Sequence, residues 1–155
     1  MDYKILRLEP WNLMGISIRT HNQVGKSIKD IGALWEKFMR EDIFQKIPHK
    51  LGDSLYCLYT DYEDKDQGFY TTYLGARVSQ QDIIPQGMKF IQIPALNYRV
   101  YTSRNAQADS ILETWNYIWS HPIPRSFEVD FDLYDQAISD NPYKQVNTYI
   151  SVNHA

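Results

Sequence analysis

Apolar residues recur every second position in some stretches of the chain and every third or fourth in others, and the switching between these periods outlines the fold. Residues 3–8 and 13–20 carry the strand pattern and are divided by Pro10; in the second, Met14, Ile16 and Ile18 alternate with Gly15, Ser17 and Arg19. Ser27 stands at a helix N-cap position, followed by Ile28, Ile31, Leu34, Trp35 and Phe38 at helical spacing. Residues 48–52 predict a loop. Residues 55–62 and 69–78 predict a hairpin with the polar turn 63–68. Gly75, inside its second arm, predicts a bend or a close approach of two backbones. Residues 82–87, with Pro85 and Gly87, read as a linker.

The plan then repeats. Residues 88–93 and 96–103 predict strands, and Ala108, Ile111, Leu112, Trp115, Ile118 and Trp119 form a helical stripe stopped by Pro122. Residues 126–134 and 145–152 predict strands around a turn at Asp140-Asn141-Pro142. The likeness extends to residue types. Lys4-Ile5-Leu6-Arg7-Leu8-Glu9-Pro10 is matched by Lys89-Phe90-Ile91-Gln92-Ile93-Pro94, and Ile31-Gly32-Ala33-Leu34-Trp35 by Ile111-Leu112-Glu113-Thr114-Trp115. The expectation is one α+β domain over residues 1–155, with internal repeats of about 1–80 and 88–155. Its antiparallel sheet carries both helices on one face, so that both apolar stripes are buried at once. The seam between the halves, lined by aromatics, is a natural ligand cleft.

Composition narrows the function. Aromatic residues make up 14% of the chain, led by 12 Tyr, which suits a pocket needing both rings and hydroxyls. A net charge of -3 without a basic cluster argues against direct nucleic-acid binding. The single cysteine, Cys57, cannot form an internal disulfide and points to a reducing, cytoplasmic location. No leader or membrane-span pattern is present, so no membrane contact is expected.

Several motifs fail on spacing. Gly25-Lys26-Ser27 lacks the earlier glycine of a phosphate loop, because position 20 is Thr20. Asp61, Glu63, Asp64 and Asp66 miss a calcium-loop register, with Thr72 where the bidentate Glu belongs. His21, His49, His121 and His154 share no metal-ligand spacing. Cys57 lies in a predicted strand and reads as packing. No metal, cofactor or catalytic residue is assigned, and a binding protein is expected rather than an enzyme.

The acidic run near the C-terminus is the candidate chemistry. Alternation places Phe127, Val129, Phe131 and Leu133 on one face and Glu128, Asp130, Asp132 and Tyr134 on the other. Such a strand can be an edge with its acids in water. Sequence alone favours that edge; the alternative sets a carboxylate beneath aromatic rings, where a cation gains from both. Trp35, Trp115 and Trp119 pose the same choice between helix core and pocket wall.

The runs Trp115-Asn116-Tyr117-Ile118-Trp119, Ile123-Pro124-Arg125-Ser126-Phe127-Glu128 and Phe131-Asp132-Leu133-Tyr134-Asp135 resemble the GyrI-like small-molecule-binding family. These are the effector-binding domains also found behind DNA-binding modules in AraC-type and MerR-type multidrug regulators. Tyr59-Thr60-Asp61-Tyr62-Glu63 and Gly68-Phe69-Tyr70-Thr71-Thr72-Tyr73-Leu74-Gly75 resemble the family's middle hairpin, and Leu13-Met14-Gly15-Ile16 its second strand. The resemblance covers nearly the whole chain. It implies a duplicated strand-helix-strand-strand fold whose central cleft takes cationic, lipophilic molecules through an acidic residue amid aromatics. The family's Glu falls on Asp132, with Glu128 on the same predicted face as the alternative carboxylate. Tyr73, Trp119 and Tyr134 are the aromatic ligand-binding candidates, joined by Trp115 at the helix seam.

No helix-turn-helix fits before Tyr3, so a stand-alone bacterial sensor is expected, regulating transcription through a protein partner or as a homodimer. Two further classes stay open. One is a small-molecule hydrolase using a cleft carboxylate with a nearby Tyr as proton donor. The other, implied by the resemblance, is an inhibitor of DNA gyrase acting by protein contact.

Overall fold

A computed structural model describes residues 1–135, 141 and 143–154. Of the predicted turn at Asp140-Asn141-Pro142, Asp140 and Pro142 lie outside the described residues. The first half comprises β1 (Tyr3–Leu8), β2 (Trp11–Thr20), α1 (Lys26–Arg40), α2 (Ile43–Lys46), β3 (Leu55–Thr60) and β4 (Tyr70–Val78). The second comprises β5 (Lys89–Ile93), β6 (Leu96–Thr102), α3 (Ala108–Ser120), β7 (Val129–Tyr134) and β8 (Asn147–Val152). All eight strands join one antiparallel sheet in the order β1-β6-β8-β7-β3-β4-β2-β5. Exchanging β1 to β4 with β5 to β8 reverses that order and leaves it unchanged. A pseudo-twofold axis therefore passes between β7 and β3. Each half's first strand is donated to the other half's edge, β1 pairing with β6 and β5 with β2.

Two local expectations are corrected and one short element is added. Ser27 does not cap α1: a 3-10 turn, Gln23–Gly25, leads straight into the helix, and Gly25 takes the left-handed conformation (φ 71°) at the cap. The final acidic strand begins at Val129, because Phe127 leaves extended backbone with φ 55°. The short α2 had no periodicity to announce it. At the N-terminal end of α1, Lys26 and Thr20 hold the Asp30 carboxyl below its ordinary range and tie the helix to β2.

Both helices lie on one face of the sheet. Leu34 and Phe38 of α1 pack on Met14, Ile16, Leu74 and Ala76, and Trp115 and Ile118 of α3 on Tyr101, Ile150 and Val152. The opposite face is also buried, by a cluster that includes Trp11, Leu58, Tyr98 and Phe131. Sheet curvature explains this. In a flat sheet β2 and β7 would lie about 14 Å apart, three ladder spacings. Yet the rings of Trp11 and Phe131 meet at 5.3 Å, so the sheet curls and closes its concave face with its own side chains.

The helices are not fully used by the sheet. The stripe of α1 sinks at Leu34 and Phe38, but Ile28 stays 74% exposed; on α3, Leu112 and Trp119 stay 46% and 42% exposed. Apolar stripes wider than their sheet contact leave surplus apolar positions that face each other across the seam. That surplus builds the cleft.

Gly75 pairs directly with Gly15 across β2 and β4. A Cβ on Gly75 would stand 2.1 Å from the Met14 carbonyl oxygen, and one on Gly15 1.9 Å from that of Leu74. Neither obstacle is a flexible side chain, so the two strands approach this closely only as glycines. Gly75→Ala is expected to destabilise the fold by about 3 kcal/mol through forced strand separation. Urea unfolding followed by circular dichroism measures it, and a loss below about 0.5 kcal/mol would contradict the packing described.

Candidate functional site

Two carboxylates of β7 point to the helix face and are almost wholly buried, Asp130 at 0% and Asp132 at 1% exposure. Their surroundings differ. Asp130 has a cation: Arg125 Nη2 donates to Oδ2 at 2.8 Å. Tyr62 donates its hydroxyl to the same oxygen at 2.5 Å, and the Ser151 amide and hydroxyl donate to Oδ1 at 2.7 and 3.0 Å. Burial works against the Arg125 charge, and Asp130, Tyr62 and Asp66 together more than offset it, so the guanidinium is held protonated.

Asp132 has donors but no cation. Thr148, its direct partner across the β7–β8 ladder, donates to Oδ1 at 2.6 Å. Tyr59 reaches Oδ2 diagonally from β3 at 2.8 Å, and Trp115 Nε1 comes down from α3 to the same oxygen at 3.1 Å. Among the described residues no basic side chain makes an ion pair with it. Burial raises the Asp132 pKa above the ordinary carboxyl value; the bonds from Thr148, Tyr59 and Trp115 pull the other way without cancelling the rise. The result is a carboxyl whose ionised form is oriented by three neutral donors yet uncompensated in charge.

Above Asp132 opens a cavity of about 380 Å³ between α1, α3 and the sheet. Its walls are aromatic. Trp35 of α1 meets Tyr134 edge-on at 5.1 Å, and Trp115 of α3 meets Tyr59 edge-on at 5.2 Å. Trp119, one turn on, leans over Trp115 at 5.8 Å and reaches solvent. Tyr70 closes the other wall; its hydroxyl donates to Asn22 at 2.6 Å, and burial pushes its pKa up to about 12. Ile28, Ile31, Ile111 and Leu112 supply the aliphatic part.

Of the residues singled out from sequence, the structure brings Asp132, Trp115, Trp119 and Tyr134 into this one cavity. It does not bring in Glu128 or Tyr73. Glu128 precedes β7, next to the turn made by Phe127, and its side chain is exposed. Tyr73 belongs to the concave face: it stands opposite Leu58 in the ladder and packs in the cluster with Trp11 and Phe131. Sequence reasoning left out Tyr59, Tyr62, Tyr70, Arg125 and Thr148 as site residues. Their strands could be read, but the register that sets them around Asp132 is a long-range pairing. Cys57 lies beneath the floor, donating to Tyr59 Oη at 3.3 Å; burial pushes its thiol up, away from nucleophilic use.

Among the described residues no group of three or more His, Cys, Asp or Glu side chains could hold a metal ion. No described helix is long and apolar enough to cross a membrane.

Comparison with known proteins places this geometry. The chain is 34% identical over 153 residues to YobU of Bacillus subtilis, named as a transcriptional regulator protein, with 96% of each chain covered. It is 31% identical over 129 residues to the transcriptional regulator BrlR of Pseudomonas aeruginosa, matching 79% of this chain but only 46% of BrlR. Among solved structures, SAV2435 bound to tetraphenylphosphonium superposes with a TM-score of 0.83 at 15% identity, covering 99% of this chain and 95% of that one. That likeness shows a shared fold. The model of the Cass2 family, described as integron-associated effector binding protein, matches residues 4–152, and the chain belongs to that family.

Proposed function

We propose that the chain binds cationic, lipophilic small molecules in the cavity above Asp132 and serves as an effector sensor in transcriptional regulation. One observation carries the reading: a buried carboxyl, held by three neutral donors and without a cation, lies at the floor of an aromatic-walled cavity. SAV2435 bound to tetraphenylphosphonium, a lipophilic cation, supports the ligand class. The regulator names of YobU and BrlR support the regulatory role, exercised in the cytoplasm through a protein partner.

The mechanism follows from the parts. A cation entering past Trp119 loses water and gains the negative faces of the rings, each worth about 1 kcal/mol or more when desolvated. Asp132 supplies the charge. At about 4 Å and an effective dielectric near 20, the attraction is of order 4 kcal/mol before desolvation is subtracted. Thr148, Tyr59 and Trp115 already point donors at the carboxylate, so little reorganisation accompanies ionisation. A neutral analogue of the same shape gains the apolar contacts alone.

The sign of the pH dependence is fixed by the raised Asp132 pKa. Below it the carboxyl is neutral and the cation loses its counter-charge; above it the attraction is complete. Affinity for tetraphenylphosphonium should therefore fall as pH drops through a midpoint above the ordinary Asp range. Asp132→Asn should weaken binding by about tenfold or more and flatten that pH dependence. Glu128→Gln, outside the cavity, should leave both unchanged. Isothermal titration calorimetry reads all three; undiminished affinity in Asp132→Asn would rule out the carboxylate mechanism.

A further inference from the structure

The cavity holds a second carboxylate. Asp66, in the loop between β3 and β4, lines it with its side chain 30% exposed. Its Oδ1 accepts from Arg125 Nη1 at 2.7 Å. The same guanidinium serves Asp130 through Nη2 at 2.8 Å, and it is 4% exposed. One positive charge thus answers two carboxylates, and the group formed by Asp66, Arg125 and Asp130 keeps a formal excess of one negative charge.

This group lies away from Asp132. Asp130 and Asp132 are two positions apart on one strand face, about 7 Å. Arg125 joins Asp130 to Asp66, which stands in the cavity wall. Rings accompany it. Tyr62 and Tyr70, both in the cavity wall, meet at 5.9 Å, and Tyr70 is 6.1 Å from Tyr59, whose hydroxyl holds Asp132. One continuous cavity therefore has two anionic poles, each flanked by aromatic rings and separated by two ring-to-ring steps.

We propose that this cavity prefers ligands with two cationic centres on a flat apolar body, one seated at Asp132 and the other at Asp66. The inference rests on the cation-binding reading given above and goes on to specify the ligand class. A monocation satisfies one pole and leaves the other to water. A dication satisfies both, while its body lies against Ile31, Ile111 and Leu112 between the helices. The Asp66 seat is the weaker one, since partial exposure screens it and Arg125 already shares its charge.

The test uses two probes of one shape: a biphenyl with a single amidinium group and the same biphenyl with one at each end. Calorimetric titration of the wild-type chain should show the dication binding about tenfold tighter. Asp66→Asn should remove that preference while leaving the monocation within about twofold of wild type. Asp66→Glu, which retains the charge, should keep the preference, separating a charge effect from damage to the loop. Asp132→Asn should weaken both probes. Equal wild-type affinities overturn the two-seat proposal alone, as does an Asp66→Asn loss common to both probes. Failure of the dication alone to bind overturns the two-seat proposal, and failure of both probes overturns the cation-binding reading and this proposal with it.

Discussion

A carboxyl group buried without a cation is costly to ionise, and the centre of this protein is organised around one. Asp132 avoids the full penalty through three neutral donors drawn from β8, β3 and α3. Those donors fix the oxygens in place without cancelling their charge. A neighbouring guanidinium would have neutralised the site, as Arg125 does for Asp130 two residues earlier. The contrast within one strand defines the site: equal burial, unequal compensation.

The fold supplies the room above that carboxyl. Each half contributes an amphipathic helix whose stripe exceeds what the sheet can cover, and the pseudo-twofold sets the two surpluses face to face. Exchange of the edge strands β1 and β5 binds the halves into one sheet, so the cleft is walled by a continuous structure. Curvature matters as well. Because the concave face closes on its own aromatic cluster, the helix face is the one left with space. The glycine pair in β2 and β4 belongs to the same geometry, bringing two backbones closer than any side chain permits.

Much of this was legible in the chain. Period-two and helical patterns, repeated in two halves, announced the α+β duplication, and alternation within the acidic strand correctly put Asp132 and Tyr134 on one face. Relations between strands were not legible. Tyr73, an aromatic candidate from the family resemblance, is committed to the concave face by its ladder partner Leu58. Glu128 fits the alternation on paper, yet the chain turns left-handed at Phe127 and enters β7 only at Val129. Nothing local distinguishes Asp130 from Asp132. That distinction arises only when Arg125 folds back on one of them and Trp115 descends on the other. Trp115 itself resolved a choice the spacing left open: its ring packs in the helix core while its indole N–H faces the site.

In the function proposed above, Asp132 waits largely uncompensated and takes its counter-charge from a bound cation. The most direct test follows the Asp132 carboxyl carbon by nuclear magnetic resonance through a pH titration, with and without tetraphenylphosphonium. The free protein should show a midpoint above the ordinary Asp value, and saturation with the cation should move it down. An ordinary midpoint in the free protein, or one that stays put on saturation, would rule out Asp132 as the counter-charge.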